Sequence, residues 1–331
     1  MIKKDGYSTL QFLVSLIIIC IFYGVIGLYL KSFSSRIYKE KQSLNEEKEI
    51  NKLFNTIISD IKNDNTPDSN SRHDLFAKWN DKSINNLNVK IDNLSGKINI
   101  NSFPKDILEK TDLKKLFIDS SASIYQIYES QVLFSDFTQL SQYITLENYE
   151  KYFTTFGWFN YNSSDDTRFE LLLNQLKINS ITLLDRRKEL LSTKQYIQSY
   201  TQLKMNTGTQ FTEVFPYINL EAPINVNYID QEVLKNILSY PSFNIKGAVS
   251  KAQTIASLRE NQEITQEMLS NILELKKNNP LYYFLGTKTY FYKIRIEGKS
   301  KQCDFYIARE ITDIDSYKNT PKYYLIKKSW I

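Results

Sequence analysis

The chain has 331 residues, of which 42% are hydrophobic and 24% charged, and its formal net charge is +5. This length is enough for a hydrophobic core of ordinary size and for one to three domains. The basic residues are dispersed along the chain, whereas a nucleic-acid-binding protein normally concentrates them on one face. A single histidine, His73, and two widely separated cysteines exclude a His/Cys metal cluster.

The sequence also lacks the common motifs of catalysis. It contains no Gly-x-Ser-x-Gly elbow and no phosphate-binding glycine loop, and a Ser-His-Asp triad would depend on His73. Acidic residues are scattered along the chain, so the sequence does not exclude a catalytic pair of carboxylates. Cys20 lies in an apolar run and Cys303 far away in a strand-like segment, so no internal disulfide is expected. We predict that the protein is not an enzyme.

An uninterrupted apolar run extends from Phe12 to Leu30, without a charged residue or a proline. At about 1.5 Å per residue, a helix of this length can cross the roughly 30 Å hydrocarbon layer. Lys3 and Lys4 before the run favour a cytoplasmic N-terminus, with the rest of the chain outside. The run is longer than the core of a secretory signal peptide. We therefore predict a transmembrane helix, and a plain signal-anchor is the alternative.

The helical pattern continues from Ser34 to Asn63. Its apolar residues are spaced by three and four positions, which places them on one face: Ile50, Leu53, Phe54, Ile57, Ile58 and Ile61. We predict that the membrane helix continues straight into this amphipathic segment, which packs on a globular domain. An independent coiled-coil linker is the alternative, although the apolar face is short for one.

Strand signals occur at both ends of the globular part. Leu87–Ile91 and Lys97–Asn101 alternate around a turn-rich connector and predict a first β-hairpin. Thr289–Ile296 and Gln302–Ala308 predict a second hairpin, and Lys322–Lys327 a last strand.

Between these hairpins, from Ser102 to about Asn279, almost everything reads as helix. Ser102 and Pro104 supply a cap and a first-turn proline where the helical region begins. We therefore predict an α+β fold, in which a long N-terminal helix packs on a small antiparallel sheet and a large all-α insertion separates the sheet hairpins.

The N-terminal residues carry a family resemblance. Gly6 followed by Tyr7 and an apolar helix resembles the processing site of type IV pilins and type II secretion pseudopilins. In those families a prepilin peptidase cuts after the glycine, and the new N-terminal residue, here Tyr7, undergoes methylation. Members usually carry a glutamate at the fifth mature residue, where this chain has Gln11. In those families the glutamate neutralises the N-terminal amine of a neighbouring subunit inside a dry helical bundle. A subunit at the tip has no neighbour above it, so it does not need this carboxylate.

Segments of the globular part resemble one branch of that superfamily, the general secretion pathway protein K family of minor pseudopilins. Gly96–Asn101 is similar to its Gly-Lys-Ile-Asn-Leu-Asn stretch, and Ile224–Asn227 with Glu232–Leu234 to its Ile-Asn-Val-Asn…Glu-Val-Leu element. The chain departs at Phe156–Asn162, where the family shows Trp-Ile-Asp-x-Asp and this chain has amides.

Helices entered through Asn-Val-Asn also resemble helix-hairpin-helix DNA binders. Those proteins need a glycine-rich hairpin whose amides meet phosphate, and the matching place here is Ser239-Tyr240-Pro241. We therefore predict no nucleic-acid partner.

The resemblance implies calcium near the sheet in some members, and Asp304, Asp313 and Asp315 are the candidate ligands for it. Asp165 and Asp166 offer oxygen ligands in the loop after Phe156–Asn162. Two adjacent acids in a polar loop are more often simply solvated, and the amides in that loop put its calcium role in doubt.

The resemblance also implies a division of the chain. Its parts are a cleaved leader 1–6, a transmembrane helix 7–30, its amphipathic continuation 31–65, a pilin-like α/β domain 66–104 and 285–331, and a helical insertion 105–284. The expected protein is a minor pseudopilin at the tip of a periplasmic pseudopilus, anchored in the inner membrane by one span, with its C-terminal domain in the periplasm.

Expected partners are other minor pseudopilins, prepilin peptidase and the inner membrane, with secreted substrates or the outer-membrane secretin as further candidates. Two alternatives stay open: a minor pilin of a type IV pilus or competence system, and a membrane-anchored extracytoplasmic binding module.

Overall fold

The computed structural model describes residues 5–64, 68–276, 279–310 and 322–331, and it describes no side chain for residues 5–11, 75, 180 and 209. Its first element, α1, is one continuous helix of 58 residues, Asp5–Lys62. The sequence of α1 contains no proline, and Leu, Lys and Glu, which favour helices, recur along it. The predicted continuation of the apolar helix into the amphipathic segment is confirmed.

Eleven strands occur among the described residues. They are β1 Lys82–Ile84, β2 Leu87–Asn93, β3 Ile98–Asn99, β4 Phe153–Thr154, β5 Phe159–Asn160, β6 Ile218–Asn219, β7 Ile224–Asn225, β8 Leu285–Gly286, β9 Phe291–Glu297, β10 Gln302–Arg309 and β11 Tyr323–Trp330. Five of them form one antiparallel sheet in the order β1-β2-β9-β10-β11. The strands before and after the helical region are therefore neighbours, which confirms the predicted α+β architecture.

The first predicted hairpin is wrong in its pairing. β2 pairs with β1 across Asn85 and Asn86, which have φ values of 52° and 64°. Two consecutive left-handed residues form the tight turn that suits a two-residue hairpin, and Asn tolerates this conformation. The other predicted strand supplies β3, which pairs in parallel with β4. A 3₁₀ turn at Leu94–Gly96 separates β2 from β3, so the two segments do not face each other.

The second predicted hairpin is confirmed. β9 and β10 pair in antiparallel register, with Ile296 opposite Cys303. The predicted last strand is also present, and β11 extends further than expected, to Trp330.

The core between α1 and the sheet is apolar. Its buried members are Ile50, Phe54, Ile57, Ile61, Phe76, Leu87, Val89, Tyr292, Ile294, Ile296, Cys303, Phe305, Ile307 and Tyr323. The α1 members are spaced by four, three and four residues, so they share one face of the helix. Burial of this face fixes α1 on the sheet.

Ten further α-helices occur among the described residues of the insertion. They are α2 Lys105–Lys110, α3 Ser120–Glu129, α4 Leu146–Tyr152, α5 Asp166–Gln175, α6 Ser180–Ser192, α7 Tyr200–Thr207, α8 Phe211–Val214, α9 Gln231–Leu238, α10 Ala248–Leu258 and α11 Gln266–Leu273. The all-helical prediction missed four two-residue strands, β4 to β7, which together with β3 and β8 form three parallel pairs. Strands of two residues are too short to show an alternating pattern.

The insertion contains two hydrophobic cores. One combines residues from Ile98 to Phe153 with residues from Ile224 to Leu285, and the other lies between Phe159 and Leu220. Beside the first of these cores, the chain at Gly96 lies directly against the chain at Tyr228. A Cβ at Gly96 would lie 2.6 Å from Tyr228 Cβ. The backbone approaches Tyr228 so closely that only glycine fits without a shift.

Candidate functional site

The part of α1 from Phe12 to Leu30 is a continuous exposed apolar surface. Every residue from Phe12 to Gln42 is exposed, including Ile18 and Leu28 at 61% and 71%. The most apolar part of α1 has a mean hydropathy of 2.6 and is not buried against the rest of the protein. By length and composition this part of the helix can cross a membrane, and the fold gives it no partner within the described residues.

The second half of α1 is held by side chains of the sheet. Phe54 stacks on Phe305 of β10, with ring centroids 3.9 Å apart and planes 10° from parallel. Polar contacts lie on both sides of this stack. Lys301 Nζ lies 2.8 Å from Glu47 Oε2, and Lys328 Nζ donates to Asn51 Oδ1 at 2.8 Å.

Glu46 fixes the edge of this contact by accepting hydrogen bonds from the β9–β10 turn. Its carboxylate accepts from the backbone N–H groups of Lys299 and Ser300 and from the Ser300 hydroxyl. Slight burial raises the pKa of the Glu46 carboxyl, but the bonds from Ser300 and Lys299 outweigh it, so the pKa is lowered overall. A Cβ at Gly298 would clash with this carboxylate.

The predicted processing and assembly residues lie near the start of α1. The helical backbone passes through Gly6, Tyr7 and Gln11, but their side chains lie outside the described residues. Their proposed roles in cleavage, methylation and subunit contact stay predictions.

The calcium candidates in the insertion lie together at the start of α5, but each has protein partners. Asp165 caps the helix by accepting from the N–H groups of Thr167 and Arg168, and it also accepts from that of Lys105 at 3.1 Å. Burial raises the pKa of Asp165 despite these bonds. Asp166 forms an ion pair with the fully buried Arg187 of α6.

The calcium candidate in the sheet, Asp304 of β10, also has cationic partners. It binds the guanidinium of Arg295 through both oxygens, at 2.8 and 3.0 Å, and lies 2.9 Å from Lys293 Nζ. Burial raises the pKa of this carboxyl, and the two cations outweigh burial and lower it.

The other two candidates, Asp313 and Asp315, lie outside the described residues. Within the described residues no three His, Cys, Asp or Glu side chains are grouped so as to hold a metal. Calcium binding stays a prediction.

The structure shows a repeated feature that sequence reasoning missed, three Asn-x-Asn pairs at the parallel strands. The pairs are Asn99/Asn101, Asn160/Asn162 and Asn225/Asn227. In each pair the first side-chain oxygen accepts a hydrogen bond from the N–H of the second residue, at 3.1, 2.8 and 2.9 Å. These bonds turn the chain out of each strand toward the following helix.

The second asparagine of each pair clamps a distant residue through both backbone groups. Asn227 Nδ2 donates to Ile264 O at 3.0 Å, and Asn227 Oδ1 accepts from Ile264 N at 2.9 Å. The other two do the same: Asn101 with Phe134, and Asn162 with Ile197. The clamped residue follows its asparagine by 33, 35 or 37 positions.

A buried polar side chain completes each of these units by donating to a carbonyl two residues after the clamp asparagine. The three pairs are Tyr128 with Phe103, Arg187 with Ser164, and Arg259 with Ile229. Both arginines also donate to the carbonyl before the clamp asparagine, of Tyr161 and of Val226. The insertion is therefore built from three copies of one structural unit.

This repeat explains the segment Phe156–Asn162. By resemblance it departs from the family through its amides, but Asn160 and Asn162 match the other two pairs within this chain. The signal that could have found the repeat was the pattern apolar-Asn-apolar-Asn, which occurs at three places in the sequence.

No protein-family model and no curated protein matches the chain. Among solved structures it is similar to a chain in the crystal structure of the GspK-GspI-GspJ complex from the enterotoxigenic Escherichia coli Type 2 Secretion System. The match covers 91% of this chain and 99% of that chain, at 10% identity and a TM-score of 0.42.

Proposed function

We propose that the chain is a membrane-anchored, pilin-like assembly subunit. Its specific role is that of a minor pseudopilin at the tip of the periplasmic pseudopilus of a type II secretion system. One observation carries this proposal: α1 is a single helix whose apolar first half is fully exposed and whose second half is docked on the sheet. Such a helix can span the inner membrane and still be rigidly joined to the periplasmic domain.

The part of α1 just beyond the predicted span supports assembly as well as anchoring. Phe33, Ile37, Tyr38 and Leu44 are 49–71% exposed there, although they lie past Lys31 and outside the apolar run. Burial of apolar area against helices of other minor pseudopilins would stabilise association by roughly 25 cal/mol per Å². Helix packing is therefore the proposed mechanism of assembly.

Two features favour the tip position. The three-unit insertion is a bulky addition to a small sheet, and it restricts how closely a subunit can stack above this one. Gln11 replaces the carboxylate that would neutralise the amine of a following subunit. If an internal position of a reconstituted filament accepts this chain as readily as the tip does, the tip assignment is wrong.

The first test is mass spectrometry of the N-terminal peptide from the native membrane fraction. We expect a chain that begins at N-methylated Tyr7, because prepilin peptidase would remove residues 1–6. Gly6→Leu is the matched variant and should keep the leader. An intact leader on the wild-type chain, in cells that contain the peptidase, would favour a membrane-anchored extracytoplasmic binding module.

A second test distinguishes a type II secretion system from a type IV pilus or competence system. Deletion of the chain should abolish secretion of folded substrates across the outer membrane while leaving pilus extension intact. Loss of pilus extension or of DNA uptake, with normal secretion, would instead assign the chain to a type IV pilus or competence system. Contacts with secreted substrates or the secretin, and calcium binding, are further parts of the proposal that cross-linking and calcium titration test directly.

A further inference from the structure

The outer edge of β11 is a second exposed surface. β11 ends the five-stranded sheet, and no described strand pairs with its other side. The opposite edge is the three-residue β1, whereas β11 has eight residues. A long edge presents a row of backbone donors and acceptors that can template another strand.

The backbone pattern shows which groups of β11 face outward. Gln302 and Ile331 exchange both hydrogen bonds, and Glu310 N–H donates to Lys322 O at 2.7 Å. Because hydrogen-bonded and non-hydrogen-bonded pairs alternate, Ser329 and Lys327 bond to β10 while the N–H and C=O groups of Lys328 point outward.

The side chains of this edge are apolar and basic. Tyr324, Leu325 and Ile326 are 42–47% exposed, and they are followed by Lys327 and Lys328. The segment 322–331 contains three lysines and no acidic residue. Among the described residues neither central lysine forms a direct ion pair. Lys327 lies over the Tyr306 ring, whereas Lys328 bonds to Asn51 and lies near enough to Glu47 to help lower the pKa of that carboxyl.

The lysines of β11 indicate whether a second copy of the chain or an acidic segment of another protein pairs with this edge. Lysines on an edge strand oppose pairing with a second copy, because antiparallel pairing about the strand centre would bring four lysines together. An acidic partner reverses that effect. Lys327 and Lys328 point to opposite faces of the sheet, so two adjacent acids in an added strand would meet one lysine on each face.

We propose that β11 binds an extended segment of another protein as a sixth strand, and that this segment carries adjacent acidic residues flanked by apolar ones. Main-chain hydrogen bonds supply affinity, and the two lysines with the apolar residues beside them supply selectivity. This site depends on neither membrane anchoring nor leader cleavage, so it goes beyond the function proposed above.

The test uses the full chain in detergent micelles and a fluorescent, end-blocked peptide, Thr-Val-Thr-Glu-Asp-Val-Thr-Val. A matched peptide carries Lys-Lys in place of Glu-Asp. Fluorescence anisotropy should show at least about tenfold tighter binding of the acidic peptide. Binding of both peptides with equal affinity, or of neither at millimolar concentration, overturns the proposal.

Two variants locate the binding at the edge. Lys328→Pro removes an outward N–H without breaking a backbone bond to β10, and it should weaken binding about tenfold while the thermal unfolding midpoint stays near that of Lys328→Ala, which equally lacks the side-chain bond to Asn51. Lys328→Ala is its control for loss of charge and should retain part of the binding. The double variant K327E/K328E should prefer the Lys-Lys peptide.

Two results would contradict the edge site. One is unchanged acidic-peptide binding in both Lys328→Pro and K327E/K328E. The other is a concentration-dependent dimer of the chain that Lys328→Pro abolishes, which would make a second copy the occupant.

Discussion

The helix–sheet region and the helical insertion both have apolar cores, but the insertion adds a repeated set of buried polar clamps. α1 is fixed to the sheet by apolar side chains such as Ile50, Phe54 and Ile57, all at most 9% exposed. The insertion is fixed by amide side chains that clamp the backbone of segments 33–37 residues away. Apolar packing accepts many side chains of similar volume, whereas a clamp needs a donor and an acceptor in one fixed geometry. The first region is therefore tolerant of sequence and the second is specific.

The largest expected effect is on the apolar region. Phe54→Ala should lower the free energy of unfolding by about 3–5 kcal/mol, because it removes the stack on Phe305 and leaves a cavity. Urea unfolding in detergent, followed by the fluorescence of Trp79 beside this core, measures it. Tyr38→Ala, on the exposed face of the same helix, should change stability by less than about 0.5 kcal/mol. Equal effects of the two variants would show that α1 is not docked as described.

The next largest effect on stability is expected from the loss of one asparagine clamp. Asn227→Ala should cost about 2–4 kcal/mol, since it leaves the N–H of the buried Ile264 without its acceptor, and the Ile264 carbonyl with the Ser69 hydroxyl in place of two donors. Hydrogen exchange should accelerate at the Ile264 amide and its neighbours. Asn101→Ala and Asn162→Ala should have similar effects in their own units, and the exposed Asn261→Ala should have almost none. Widely different costs at the three clamps would argue against equivalent units.

A pH effect tests the segment between α1 and β1, which contacts the insertion where Asn225 donates to the Asn70 carbonyl. Burial, together with Asp64 and Glu263, raises the pKa of Asp74 to about 7, despite hydrogen bonds from Ser71. The folded state therefore holds a proton more tightly than the unfolded chain, and this contribution to stability is full below about pH 4 and is lost as the pH rises through 7.

Asp74→Asn should remove this loss and stabilise the chain by about 1–3 kcal/mol at pH 8. Thermal unfolding midpoints from pH 4 to 8 measure the difference, and parallel pH curves for the two proteins would refute it.

The smallest expected effect concerns the turn against α1. Gly298→Ala should cost about 1 kcal/mol, because its Cβ displaces the Glu46 carboxylate from the turn amides. Glu46→Ala should cost about as much, and the double variant little more than either, since both remove the same contact. Additive costs would show that Glu46 and the turn act independently.

Local patterns in the sequence predicted much of the fold. The spacing of Ile50 to Ile61, the alternation in β9 and β10 and the length of the apolar run each depend on neighbours in the chain. The prediction of the first hairpin was wrong because the alternation of Leu87–Ile91 indicates a strand but not the strand with which it pairs. That choice depended on the Asn85-Asn86 turn and on β9, which lies about two hundred residues away.

Some features of the candidate sites could likewise be predicted from the sequence, and others could not. Exposure of the apolar half of α1 followed from its composition. The partners of Asp166 and Asp304 did not, because Arg187 and Lys293 reach them only through folding. The outward edge of β11 was equally hidden, since a strand's place in a sheet is not a property of its own residues.

By itself, the sequence determined the elements whose physics is local: a long helix with an apolar and an amphipathic half, the strand pair β9 and β10, and a helical region between the hairpins. Only the tertiary structure decided which asparagines are clamps, which acids are already paired and which strand forms the open edge. Each of those depends on donors, acceptors or charges that meet across tens to hundreds of residues, and a one-dimensional pattern does not record such meetings.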